Sequence, residues 1–213
     1  MKSVFIMLSG DCSPTKLIRT YIQNASICIG ADGGADLLVQ LFGIPPHEVV
    51  GDFDSLSNQT RAYLKDRNIP CIQHPTDKDQ TDSELAIERA IEWGADQIII
   101  AGFSGDRIDH MQANIGYSAK RSAHVPIRII SGNQELSFIH LSGTIQGTIG
   151  ELVSLIPVEG SVRGVTTKGL RYPLSHEALP FGTTRGVSNC MTEKTAHIQI
   201  FSGILMVVHT RNL

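Results

Sequence analysis

The sequence lacks the features of a membrane, disulfide-stabilised or nucleic-acid-binding protein. Its four Cys are widely spaced and form no CxxC pair, so we expect neither a disulfide framework nor a zinc site, and reduced thiols fit a cytoplasmic protein. The apolar run at residues 4–8 is too short for a signal sequence or a membrane span. A net charge of −3 gives no electrostatic reason to expect nucleic acid or an anionic membrane as a partner.

The second half of the chain also lacks Asp, because every Asp lies at or before Asp109. Residues 1–125 carry a net negative charge, and the remaining residues carry a net positive charge. Apolar residues make up 41% of the sequence, which is enough for a substantial core. The asymmetry of charge predicts two halves with different roles.

The first half alternates short apolar runs with helical stretches, which predicts a parallel sheet covered by helices on both faces. The predicted strands lie at 4–8, 26–29, 49–50, 71–72 and 97–101, and the predicted helices at 14–23, 34–42, 57–67, 83–93 and 111–121. After Pro126, short alternating runs separated by Gly and Pro predict a small β-sandwich. We therefore expect an α/β domain at 1–130 and an all-β domain at 131–213.

Two acids follow the predicted strand at 49–50. If the chain stays extended, Asp52 and Asp54 point the same way and Phe53 turns into the core. Such a pair can bind a hard cation such as Mg²⁺, which prefers oxygen ligands and shares them with phosphate. The alternative is a polar loop in which Asp54 or Ser55 caps the next helix.

Acids follow other predicted strands as well, and ligands of parallel sheets bind beyond these strand ends. Like charges gathered there raise each other's pKa, so a cation would account for them. The sequence contains neither a Walker A motif nor GxGxxG, but the amides around Gly33 could approach an anion. The strand-end acids are Asp11, Asp32, Asp52, Asp54, Asp77, Asp79, Asp82, Asp106 and Asp109.

Residues 77–84 combine a helix start with an excess of charge. Thr81 and Glu84 have the spacing of a capping box. A cap needs only one acceptor, so we expect Asp79 or Asp82 to bind metal and Lys78 to bind phosphate.

Residues 107–110 carry a second charged group. Arg107 either pairs with neighbouring acids or grips phosphate with its planar fork. His110 is either a base or an ordinary hydrogen-bonded residue.

Seven segments of the two halves form one pattern in chain order: Ala-Asp-Gly-Gly-Ala at 31–35, Gly-Asp-Phe-Asp-Ser at 51–55, 77–87, Arg-Ile-Asp-His at 107–110, Ala-Asn-Ile at 113–115, 169–174 and Gly-Val-Ser-Asn at 186–189. Taken in this order, they resemble the thiamine pyrophosphokinase family of bacterial type. The resemblance covers both halves and implies a Rossmann-like nucleotide-binding domain, a β-sandwich domain that binds thiamine, and a homodimer with active sites shared between subunits.

Carried over by position, the resemblance assigns most of the candidate site residues. It implies a Mg²⁺ site at Asp52, Asp54 and Asp82 with Asp79 close by, and it places Arg107 and Asp109 near the ATP phosphates. ATP contacts are also expected from Asp32, Gly33, Lys78, Thr81 and His110, and thiamine contacts from Tyr172, Ser188 and Asn189.

Two positions depart from the family pattern. Asp106 stands where Gly is common, and Tyr172 stands where some relatives have Trp, so Tyr172 either stacks on thiamine or packs in the core. The implied reaction transfers the pyrophosphoryl group of ATP to the thiamine hydroxyl and releases AMP. There are two alternatives. The protein could be a sensor that binds thiamine or nucleotide without turnover, or a Mg²⁺-dependent phosphoryl transferase that acts on another small alcohol.

Overall fold

The computed structural model describes residues 1–77 and 79–212, and the chain divides into two compact units. The first unit comprises Met1–Tyr117 and Val125–Gly132. The second comprises Ser118–His124 and the residues from Asn133 onward. Within the described ranges, every helix is too short or too polar to cross a membrane.

In the part of the chain that the structure describes, six parallel strands of the first unit pair in the order β6-β5-β1-β2-β3-β4. Its central strands are nearly continuous apolar runs and are buried, as expected for a sheet covered on both faces. The strand order reverses at β1, which lies between β2 and β5, so a ligand crevice is expected at that point. The strands are β1 (Ser3–Met7), β2 (Ile27–Ala31), β3 (Glu48–Gly51), β4 (Cys71–Gln73), β5 (Gln97–Ala101) and β6 (Ile127–Ser131). The predicted parallel α/β fold is confirmed.

The helices follow the strands as predicted, with two differences. The helix expected at 34–42 is a single α turn that continues as a π-helix, and the last helix begins at Ile108 instead of 111. The Thr81 half of the predicted capping box is confirmed, because the Thr81 hydroxyl accepts a hydrogen bond from the Glu84 amide at 3.2 Å, whereas the Glu84 carboxylate accepts from Gln80 at 3.4 Å. The helices are α1 (Lys16–Asn24), α2 (Gly34–Asp36, then π-helical Leu37–Leu41), α3 (Asn58–Asp66), α4 (Asp82–Glu92) and α5 (Ile108–Arg121).

Apolar side chains join the sheet of the first unit to its helices, and two of the clusters lie wholly in the described residues. One joins Phe5 and Ile99 of the sheet to Ile18 of α1. The other joins Val49 of β3 to Phe53, which follows that strand, and to Leu64 of α3. Burial of each side chain of this size contributes about 1.5–3 kcal/mol to the free energy of unfolding. The loops that follow the strands are therefore attached to a well-packed core.

The second unit is a β-sandwich, as predicted. Its antiparallel sheets have the orders β12-β9-β14-β7 and β11-β10-β13-β8, and their facing apolar side chains form one core. Ala196 and Ile198 of β13 are buried while His197 and Gln199 are exposed, which confirms the predicted alternation. The strands are β7 (Gln134–Ile139), β8 (Ser142–Gln146), β9 (Leu152–Pro157), β10 (Val162–Lys168), β11 (Glu177–Leu179), β12 (Asn189–Cys190), β13 (Thr195–Gln199) and β14 (Leu205–Thr210).

Candidate functional site

A cleft of about 560 Å³ opens at the carboxyl ends of the strands in the first unit. It lies where the strand order reverses, at the position expected for a ligand of this sheet type. Its wall is mostly polar and contains the following charged or hydroxyl side chains: Ser9, Asp11, Asp32, Asp52, Asp54, Ser55, Thr76, Thr81, Asp82, Ser83, Ser104, Asp106, Arg107 and His110.

The loops after β1 and β5 form one side of the cleft. The Gly10 amide donates to the Gly102 carbonyl at 2.8 Å, and the Asp11 amide donates to the Ser104 carbonyl at 2.6 Å. Gly102 has a φ of +72°, and a Cβ there would collide with the carbonyl oxygen of Leu8. Only glycine therefore allows the two loops to lie this close.

Within the described part of the chain, three carboxylates of the cleft wall lie close together. Oxygen atoms of Asp32, Asp52 and Asp82 lie within 4.8 Å of one another. Asp32 follows β2 and Asp52 follows β3, and the two strands are hydrogen-bonded neighbours. Gly51, with a φ of +148°, permits the approach, because a Cβ there would lie 3.0 Å from the Asp32 Cβ.

Asp32 is the most buried of the three carboxylates, with 4% of the residue exposed. Burial raises its pKa, the charges of Asp82 and Asp54 raise it further, and hydrogen bonds from Ser55 and Gly33 oppose the rise. Among the described residues, none forms a hydrogen bond with the buried Asp32 Oδ1. An oxygen-rich group with surplus negative charge, of which Asp32 is buried and Asp52 and Asp82 are half-buried, fits a hard divalent cation such as Mg²⁺.

The acidic loop, residues 52–57, differs from the extended chain that we expected. Phe53 has a φ of +67°, in the left-handed region, and the Asp54 amide donates to Asp52 Oδ1 at 3.2 Å. The alternation argument is therefore wrong for Asp52 and Asp54, although Phe53 does turn inward and is only 7% exposed. Asp54 lines the cleft but is not one of the three carboxylates.

The remaining acid predicted near the metal, Asp79, is exposed, and it is absent from the wall of the cleft as far as the described residues show. The predicted metal site comprises Asp52, Asp54 and Asp82, whereas the clustered carboxylates are Asp32, Asp52 and Asp82. Asp32, predicted to contact ATP, thus takes the position expected for Asp54. The pairing of β2 with β3 explains this exchange, because it places the residue after β2 beside the residue after β3.

Arg107 lines the cleft and is engaged by Asp109. Its Nε donates to Asp109 Oδ1 at 2.9 Å and a terminal nitrogen donates to Oδ2 at 2.6 Å. This bidentate bond lowers the pKa of the Asp109 carboxyl and raises the pKa of Arg107. Both side chains are about two-thirds exposed, at 67% and 64%, and such pairs are weak enough to exchange for another anion.

Three other residues predicted to bind ATP lie at the same cleft, and a fourth is outside the residues that the structure describes. Thr81 and His110 line the cleft. Gly33 is buried beside it, where a Cβ would meet the Ser9 Cβ at 3.2 Å. Lys78 lies outside the described residues.

In the second unit, the three predicted thiamine residues lie together. Asn189 is buried, and its side chain bonds the backbone of Tyr172 twice, accepting from the amide at 3.0 Å and donating to the carbonyl at 2.8 Å. The Tyr172 side chain is 60% exposed, so the alternative of a core tyrosine is excluded. Ser188 is exposed and has a φ of +60°. Asn189 thus holds the backbone of Tyr172, and Tyr172 and Ser188 are both accessible.

Our sequence reasoning missed several cleft residues, including Ser9, Ser104 and the buried Asn114 of α5. They carry no charge, and their positions follow from strand order. The signal that could have identified Ser9 and Ser104 is the strand order. If β1 is placed between β2 and β5, the loops after β1 and β5, which contain these two residues, lie next to the expected ligand crevice.

Comparison with known proteins gives matches across the whole chain. Residues 18–130 match the family model "Thiamin pyrophosphokinase, catalytic domain", and residues 137–205 match "Thiamin pyrophosphokinase, vitamin B1 binding domain". The thiamine pyrophosphokinase of Bacillus subtilis is 28% identical over 214 residues, covering 99% of each chain.

Solved structures give the same result. The crystal structure of thiamine pyrophosphokinase from Bacillus subtilis superposes with a TM-score of 0.89 at 28% identity, covering 100% of both chains. A thiamin pyrophosphokinase family protein from Enterococcus faecalis gives a TM-score of 0.85 at 25% identity, covering 100% of both chains. The yeast enzyme, at 16% identity with 98% of this chain and 86% of that chain covered, gives a TM-score of 0.81 and supports the fold alone.

Proposed function

The chain belongs to the thiamine pyrophosphokinase family of kinase-type transferases that make thiamine diphosphate, and from that membership we propose its reaction in detail. It transfers the pyrophosphoryl group of ATP to the hydroxyl of thiamine, so the alcohol oxygen attacks the β-phosphorus and AMP leaves. The observation that carries this proposal is the cluster of Asp32, Asp52 and Asp82 in the strand-end cleft. A cation bound there can accept phosphate oxygens as its remaining ligands.

We assign Mg²⁺ to this cluster because the donor set fits it. Asp32, Asp52 and Asp82 would hold the ion, and Asp54, which lines the same cleft, is close enough to raise the pKa of Asp32 by its charge. When bound, Mg²⁺ supplies positive charge against the oxygens of the transferred and leaving groups. Without it, the acidic wall of the cleft would repel ATP.

Arg107 contributes a second positive charge. Its fork is held at the cleft by Asp109, and exchange of this exposed pair for a phosphate oxygen would place the guanidinium against developing charge. Positioning of the two substrates supplies most of the remaining acceleration, as is general for phosphoryl transfer.

We propose a cytoplasmic homodimer in which the partner's Tyr172 and Ser188 complete each cleft with the thiamine-binding surface. The exposed Tyr172, whose backbone Asn189 holds through two hydrogen bonds, supports this assignment. Mixing Asp52→Asn and Tyr172→Ala subunits should restore activity, because one site of the heterodimer keeps both residues. If activity stays absent after subunit exchange has been demonstrated by mass spectrometry, the shared site is wrong.

The reaction is tested by measuring AMP released from ATP by the purified protein. AMP should form only when thiamine and Mg²⁺ are both present. AMP formed without thiamine, or none under any condition, would contradict the proposal. The matched control is Glu193→Gln, which changes an exposed acid of the second unit and should leave the rate unchanged.

A further inference from the structure

We propose that Arg61 of α3 is a positioning residue that holds the acidic loop in its metal-binding shape. Arg61 does not belong to the described wall of the cleft, and its guanidinium bonds backbone carbonyls of the loop. This proposal rests on the Mg²⁺ site of the proposed function.

The guanidinium closes the loop at two points. Arg61 Nε donates to the Leu56 carbonyl at 3.1 Å, and a terminal nitrogen donates to the Phe53 carbonyl. These carbonyls bracket Asp54 and Ser55. A planar group with donors in a fixed fork can hold both carbonyls at once, whereas the single ammonium of Lys cannot reproduce that geometry.

The loop needs such support because its backbone is unusual. Phe53 has a φ of +67°, which a bulky residue adopts only when its surroundings enforce it. The side chains of Phe53 and Leu56, each 7% exposed, anchor the loop from the core side. Asp36 anchors its end, since the Asp36 carboxylate accepts the amide and hydroxyl of Ser57 at 3.0 and 2.5 Å. Arg61 restrains the backbone between these anchors through the carbonyls of Phe53 and Leu56.

Loss of this restraint should weaken metal binding more than it slows turnover. The carboxylates around the cleft repel one another, so a loosened loop moves Asp52 and Asp54 away from Asp32. A cation must then reorganise the loop as it binds, and its affinity falls. At saturating cation the native loop is restored and the rate recovers.

The test measures Mn²⁺ binding by electron paramagnetic resonance without nucleotide or thiamine. Arg61→Gln should bind Mn²⁺ about 10- to 100-fold more weakly than the unmodified protein, as for losses of outer-shell support in metal sites, and Arg61→Lys should be intermediate. The matched control is Arg67→Gln, because Arg67 follows the same helix and its guanidinium lies 4.0 Å from the Tyr63 ring. Its Mn²⁺ affinity should not change.

Two further readouts separate positioning from other roles. Amide hydrogen exchange of residues 52–57 should accelerate in Arg61→Gln, and the half-saturating Mg²⁺ should rise while kcat at saturation changes by less than about threefold. A lowered melting temperature with unchanged Mn²⁺ affinity would overturn the proposal in favour of a purely structural role. A raised KM for ATP with unchanged Mn²⁺ affinity would overturn it in favour of nucleotide contact.

The outcome is distinguishable from failure of the proposed reaction. If the unmodified protein binds no Mn²⁺, the metal site and the role of Arg61 are both wrong, and thiamine-dependent AMP release still decides the reaction separately. If Arg61→Gln does not fold, Arg61→Lys carries the same comparison, because it keeps the charge and the alkyl chain. A Lys variant with unchanged affinity and unchanged exchange would then overturn the proposal.

Discussion

Replacing Asp32 with Asn should stabilise the metal-free protein and slow its metal-dependent reaction. The side chain keeps its size, and its amide oxygen can still accept from Ser55 and Gly33, so the change removes one charge with little effect on packing. Burial and the neighbouring carboxylates raise the pKa of Asp32. Above its folded-state pKa, the ionised side chain therefore reduces the free energy of unfolding.

The size of the effect follows from the spacing of the carboxylates. Two unit charges 4.8 Å apart repel by about 0.9 kcal/mol in water and by about 3.5 kcal/mol at an effective dielectric constant of 20. We expect a gain of about 1–3 kcal/mol in the free energy of unfolding. At about 2–4 °C per kcal/mol for a chain of this size, the melting temperature should rise by several degrees.

The assay is thermal unfolding at pH 7 with EDTA and again with excess Mg²⁺. A ligand at 100 times its Kd stabilises the folded state by about 2.7 kcal/mol, so the unmodified protein should gain stability from Mg²⁺ and Asp32→Asn should gain much less. Asp106→Asn is the matched control, because Asp106 is an exposed acid of the same cleft outside the cluster. If Asp32→Asn melts earlier in EDTA, or gains as much from Mg²⁺ as the unmodified protein, the reasoning is refuted.

Three further predictions concern other charged groups. Asp52→Asn should lower kcat at saturating Mg²⁺ more than Asp54→Asn does, because only Asp52 belongs to the cluster. If both variants keep near-normal turnover, neither residue is a metal ligand. Arg107→Lys keeps the positive charge but loses the planar guanidinium, so kcat/KM should fall about 10- to 100-fold while the melting temperature stays unchanged. A lowered melting temperature with normal turnover would instead indicate that the Arg107–Asp109 pair is purely structural. Hydrogen bonds, including one to His209 at 2.7 Å, lower the pKa of buried Glu151 against the effect of burial. Its stabilisation is thus present above pH 4.5 and lost as pH falls through the lowered pKa. Glu151→Gln weakens these buried hydrogen bonds, so it should lower the free energy of unfolding at pH 7 by about 1–3 kcal/mol. Equal pH profiles of unfolding for the two proteins would contradict this.

The sequence predicts the elements of this fold well because their hydrophobic periods are regular. The strand at Gln97–Ala101 lies where the pattern places it, and the alternation in β13 identifies a half-buried strand. The π-helical turn at Leu37–Leu41 has no such signal, since a widened turn leaves the pattern of apolar residues nearly unchanged.

The site is harder to predict because it depends on pairing between distant segments. Asp32 reaches Asp52 through the register of β2 with β3, in which Ala31 lies opposite Val50. The left-handed backbone of Phe53 is equally hidden, because a bulky residue rarely adopts it and the neighbours that enforce it come from elsewhere in the chain. The residue types thus predict a cation site among the acids that follow the strands, but only the tertiary structure shows which of these acids lie close together.

The most direct test of the reaction follows the α-phosphorus of ATP. With ATP labelled at that atom, purified protein, thiamine and Mg²⁺, all of the label in the products should be in AMP, the leaving group, and thiamine diphosphate should form unlabelled in equal amount. Label attached to the acceptor would instead show nucleotidyl transfer. Labelled ADP with thiamine monophosphate would show transfer of a single phosphoryl group, and either result would contradict attack at the β-phosphorus.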